Sequence, residues 1–140
     1  MAEFEAGTPS RSRRPLSPHL SIYTPLMTMM MSIVHRITGA GLYFGMLLLA
    51  WWLIAAASGP TAYAYVEWFF GSLIGRLILF GYTWALMHHL LGGIRHLIWD
   101  TLHGLEPGER DMLALGTLIG SIGLTLVIWA IGYLAMGGPR

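Results

Sequence analysis

Three apolar runs, at roughly 29–56, 65–97 and 112–136, decide what this chain can become. A helix needs about 20 mostly apolar residues to cross a bilayer, and each run exceeds that. Lipid offers the backbone no hydrogen-bond partners, so an open sheet edge in the hydrocarbon is excluded. The expected fold class is therefore all-α, an integral membrane bundle of three transmembrane helices. The second run is long enough to tilt or to project into water. Composition agrees: 55% of residues are hydrophobic and only 11% are charged, wrong for a soluble domain of this size.

What is missing also constrains the chemistry. The chain has no cysteine, which rules out a disulfide, a protein-ligated iron–sulfur cluster and a covalently attached c-type heme. Any redox cofactor must be held through His or Met, or by shape. The formal net charge of +1 argues against nucleic acid as a partner. All basic residues are arginine.

Residues 1–28 read as a polar arm, and 29–140 as the membrane domain. The arm is broken by Pro9, Pro15, Pro18 and Pro25 and carries Arg11, Arg13 and Arg14. Glu3 and Glu5 disfavour a mitochondrial transit peptide, so a bacterial inner membrane is expected ahead of a mitochondrial one. The first link, "SGPTAY", has no charge, whereas "TLHGLEPGER" holds Arg110 with Arg95 just before it. The positive-inside rule then places the N-terminus and the second link in the cytoplasm. Trp51, Trp52, Trp68 and Trp99 fall near expected helix ends, as interfacial anchors do; Trp84 and Trp129 do not. Gly41/Gly45, Gly71/Gly75 and Gly116/Gly120 repeat a four-residue spacing that lets helices approach closely. Three helices bury few faces, so a partner membrane subunit is expected.

Two polar clusters interrupt the apolar runs. "SIVHRITG" (32–39) opens the first helix, and "MHHLLGGIRHLIWD" (87–100) closes the second. By helical rise His35 lies ~10 Å in from the start of its helix and His89 ~12 Å from the end of its own. An antiparallel pair would therefore bring them to one depth. At roughly 100° per residue, Ser32, His35, Arg36 and Gly39 share one sector. On the second helix Ala85, His89, Gly92, Gly93, His96 and Asp100 share another, with His88, Arg95 and Trp99 on a neighbouring stripe. Each residue alone has an ordinary reading: an interhelical hydrogen bond for a histidine, snorkelling for an arginine, a bond back to its own helix for Ser32. Clustered on facing helices they favour a site, for heme, quinone, a proton path or a substrate. Imidazole, room beside glycine and arginine for propionates would suit a heme. Its ligands could be His35 with His89, or one of them with a partner's residue.

"RPLSPHLSIY" leading to "SIVHRITG", then "HLLGGIRHLIWD", resembles the cytochrome b membrane-anchor subunits of succinate dehydrogenase, respiratory complex II. The likeness runs from about Arg14 to the C-terminus. It departs at Leu102, where the family usually has a small residue. The resemblance implies that His89 is the axial ligand of a heme b iron whose second ligand comes from another anchor subunit. It implies that Ser32 and Arg36 line a ubiquinone pocket and that His35 and Arg36 lie near the heme propionates. Arg95, His96 and Asp100 match motif positions as heme or quinone surroundings. It further implies a flavoprotein subunit with FAD and an iron–sulfur subunit as partners, so that this chain serves succinate oxidation without binding succinate. Other readings of the same residues are a heme-free structural anchor and a small proton- or solute-conducting subunit.

Overall fold

The computed structural model describes residues 24–137. Most of the arm, including Arg11, Arg13 and Arg14, lies outside the described residues. Four helices follow in order: α1 (Met27–Ser58), α2 (Pro60–Gly71), α3 (Leu73–Asp100) and α4 (Pro107–Ala135). By length and composition α1, α3 and α4 can each cross a membrane. Their 32, 28 and 29 residues correspond to ~42–48 Å, beyond a hydrocarbon core of ~30 Å. No strand occurs among the described residues.

The second apolar run is not one span. It breaks at Ser72, and α2, with 12 residues, is too short to cross. Ser72 has extended backbone angles; its Oγ accepts from Gly75 N–H at 3.1 Å and donates to the Phe69 carbonyl at 2.6 Å. The side chain thus replaces helical backbone bonds and caps α3, as serine does at helix starts. Gly75 lets the turn close, since a Cβ there would overlap the Phe69 and Phe70 backbone. Gly71 and Gly75 are accordingly on different helices, and their expected role as one packing pair is corrected.

The links are tighter than the link segments indicated. Only Gly59 separates α1 from α2, at φ 112, where a side chain would be strained, and Pro60 opens the next helix. Between α3 and α4 the chain turns through Leu102 (φ 63) and Gly104 (φ 72). Trp99 Nε1–H donates to the Gly104 carbonyl at 3.0 Å and pins this turn. Arg110 therefore belongs to the first turn of α4.

Helix α3 is the centre of the bundle and packs on α1, α2 and α4. Its contacts are made by small or polar residues: Ala85, Ala114, Thr117, Ser121 and Thr125 are buried. Large apolar side chains such as Phe44, Leu47, Ile119 and Leu126 point outward, the inverse of a soluble core and suited to lipid. The Tyr82 ring lies on Gly45, and Leu91 approaches Gly120, whereas Gly41 and Gly116 meet nothing. Trp129 and Trp84, the two tryptophans away from expected helix ends, have interior roles. Trp129 Nε1–H donates to Thr83 Oγ1 at 3.2 Å, and the Trp84 ring tilts over His88.

Candidate functional site

The antiparallel crossing of α1 and α3 brings His35 and His89 together, as their equal depth requires. Each imidazole seats in a glycine notch of the opposite helix. A Cβ on Gly92 would overlap the His35 ring, and one on Gly39 would stand 2.9 Å from His89 Cε1. The rings stack with centroids 4.0 Å apart and planes 13° from parallel. His35 Nε2–H donates to the His89 carbonyl (3.3 Å), and His89 Nδ1–H donates to the His35 carbonyl (3.2 Å). A carbonyl can only accept, so these bonds place the proton of His89 on Nδ1. In a neutral imidazole the lone pair is then on Nε2, which has no hydrogen-bond partner.

This arrangement sorts the histidines. His89 is half-buried at the α1–α3 seam, with an unpartnered Nε2 that can ligate a metal; a carbonyl bonded to the other nitrogen is the usual support for such a ligand. His35 uses its own Nε2 in the reciprocal bond, and face-to-face stacking leaves no room for a porphyrin between the two rings. His88 points the other way. It is completely buried against α4, its Nδ1–H donates to Ser121 Oγ at 3.3 Å, and its Nε2 has no partner. Among the described residues no group of three or more His, Asp or Glu could cage a bare ion; the single unpartnered imidazole nitrogen of His89 could serve a group that brings most of its own donors, as a heme does. Gly93, beside His89, has open space where a Cβ would stand; Gly92 is already filled by His35.

Beside the histidine pair lies a cleft of about 350 Å³ whose walls include Ser32, Arg95, His96, Trp99 and Arg110. The His96 ring stands edge-on to His35, 5.4 Å away. Arg95 is only 2% exposed, and its Nε and Nη1 have no hydrogen-bond partner. Its guanidinium lies 5.2 Å from the centre of the Trp99 ring. A buried cation without a carboxylate is costly in a membrane, and the cleft walls hold no acid. The cleft can therefore accept negative charge. Arg36, expected beside Ser32, is exposed and does not line it; Asp100 is exposed at the end of α3.

Comparison with known proteins decides the family. A profile of the succinate dehydrogenase/fumarate reductase transmembrane subunits matches residues 10–128. The chain belongs to this family. A succinate dehydrogenase cytochrome b556 subunit from Paracoccus denitrificans is 41% identical over 125 residues, covering 87% of this chain and 96% of the relative. One from Rickettsia felis is 36% identical over 118 residues, covering 84% and 92%. A mitochondrial cytochrome b560 subunit from Sus scrofa is 36% identical over 121 residues, covering 81% and 70%. The succinate dehydrogenase anchor resemblance and the all-helical membrane architecture thus both hold. The matched region takes in both polar segments and all of α1 to α3.

Tertiary contacts add two residues to the candidate site. Arg110 and Trp99 reach the cleft because the turn after Asp100 folds α4 back along α3. Their signals in the sequence were an interfacial tryptophan and a link arginine, neither of which marks a ligand.

Proposed function

We propose that this chain is the cytochrome b membrane anchor of a succinate:quinone oxidoreductase. In this reading His89 is the axial ligand, through Nε2, of a heme b shared with a second anchor subunit. The chain tethers an iron–sulfur subunit and a flavoprotein carrying FAD, and itself binds no succinate. It sits in a bacterial inner membrane with its N-terminus in the cytoplasm. The observation that carries the reading is the state of His89: proton held on Nδ1 by the His35 carbonyl, Nε2 free, ring reachable at the edge of the chain. His88, buried on all sides, has none of that access.

Heme, when bound, supplies a one-electron carrier next to the quinone pocket. The chain's own part is positional and electrostatic. The His35 carbonyl orients the ligand ring, and Gly93 leaves the backbone approachable beside it. Ubiquinone occupies the cleft, where the Ser32 hydroxyl donates to a quinone carbonyl oxygen. Arg36 does not line the cleft in this chain; on the outer side of α1 it would meet the propionates and complete the quinone pocket where the second anchor subunit packs. Arg95, already inside, offers two unused N–H donors to the negative charge that develops as quinone is reduced. His96 stands beside it.

Ser32→Ala and Arg36→Ala, made in the whole complex, should lower ubiquinone reduction while succinate oxidation with a soluble acceptor survives. If both activities fall together, the residues serve assembly and the quinone assignment is wrong.

A further inference from the structure

A second cavity lies at the other end of the bundle, about 510 Å³ where α1, α2, α3 and α4 converge. Its walls come from both sides of the break at Ser72, from α2 and the start of α3, together with α1 and α4. None of its walls is a histidine or belongs to the site described above. Tyr63 and Glu67 of α2, Arg76 of α3, and Trp129 and Tyr133 of α4 line it, together with the apolar Leu79 and Ile128.

Depth and charge together identify the occupant. Helix α3 overhangs a ~30 Å hydrocarbon core by ~6 Å at each end, and Arg76 is ~4.5 Å from the first residue of α3. Arg76 thus stands at headgroup level, where tyrosine and tryptophan also prefer to lie. Glu67 and Arg76 border the same cavity, yet among the described residues neither side chain makes a hydrogen bond or ion pair. Two opposite charges left unpaired at one mouth, above an apolar wall, match a ligand that carries both signs and a hydrocarbon tail. We infer that this cavity binds a zwitterionic phospholipid of the ethanolamine class, its phosphate on Arg76, its ammonium on Glu67, and an acyl chain along Leu79 and Ile128. Arginine suits phosphate because its planar fork bonds two oxygens at once. A carboxylate favours a primary ammonium, which donates hydrogen bonds, over a quaternary one, which cannot. The site is independent of heme and quinone.

The test uses the full chain purified with its native partners and reconstituted into nanodiscs of equal parts phosphatidylethanolamine, phosphatidylglycerol and phosphatidylcholine. After detergent washing, the retained phospholipid is identified by native mass spectrometry. The wild type should retain phosphatidylethanolamine. Loss of one charge-assisted contact in Arg76→Gln should lower that retention about tenfold, with Arg76→Lys recovering part of it. Glu67→Gln should keep a lipid but move the preference towards phosphatidylglycerol, because only the phosphate partner remains. Heme content checks that each variant has assembled. Retention of the three lipids in the disc's own proportions by the wild type would overturn the inference. So would unchanged lipid selectivity in both charge variants, or displacement of the lipid by a short-chain ubiquinone, which would make the cavity a quinone site.

Discussion

Replacing Gly92 and Gly93 by alanine, one at a time, should move stability in opposite directions. At Gly92 the new methyl would overlap the His35 ring at Cδ2 and stand 3.0 Å from Nε2. That ring is held by its stack on His89 and by its bond to the His89 carbonyl, so it cannot swing aside without losing both. Overpacking of this kind costs about 1–3 kcal/mol, and the lost hydrogen bond adds about 0.5–1.5 kcal/mol. Alanine returns about 1 kcal/mol through its better helix propensity. The net is a loss of about 0.5–3.5 kcal/mol, together with displacement of the His89 ligand. At Gly93 nothing lies within 4 Å, so only the propensity gain of up to about 1 kcal/mol remains. Unfolding of the purified protein in mixed micelles by SDS titration measures both, with heme content as a second readout. If Gly92→Ala proves as stable as Gly93→Ala, the His35 ring does not occupy the notch, and the account of how His89 is oriented falls with it.

Arg95 and Leu102 offer further checks. Arg95→Leu in the whole complex should lower ubiquinone reduction about tenfold, the worth of one charge-assisted hydrogen bond, while a soluble acceptor is still reduced. Arg95→Lys should restore part of it, and full activity in Arg95→Leu would show that the buried guanidinium faces no developing charge. Leu102 is 81% exposed and held at φ 63, a conformation that costs a side chain about 1–2 kcal/mol. Leu102→Gly should therefore raise the midpoint of thermal unfolding in detergent, and a fall would mean that the turn after α3 is held differently.

The apolar runs made the spanning helices legible, because a bilayer leaves so few alternatives. The break at Ser72 was not legible. A serine amid apolar residues is unremarkable until its hydroxyl is seen capping α3, and Gly75 signals close approach without saying to what. The histidine pair followed from depth alone: rise per residue brings His35 and His89 to one level in any antiparallel crossing. Which arginine enters the cleft did not follow. Arg36 lies about 100° around α1 from His35, and α3 crosses on the His35 side, so Arg36 faces outward. Arg95 is buried because α4 covers its stripe, a consequence of the turn at Trp99 and Gly104. Helical periodicity did separate His88 from His89, and packing then gave that separation its meaning. One ring is enclosed by α4, and the other stays reachable at the seam with α1.

The central claim is that His89, and not its neighbour, binds the heme iron. The most direct measurement is the reduced-minus-oxidised absorption spectrum of the purified complex, compared among the parent, His89→Ala and His88→Ala. The b-type heme signal should be lost or greatly weakened in His89→Ala and persist in His88→Ala. A parental heme signal in His89→Ala would contradict it.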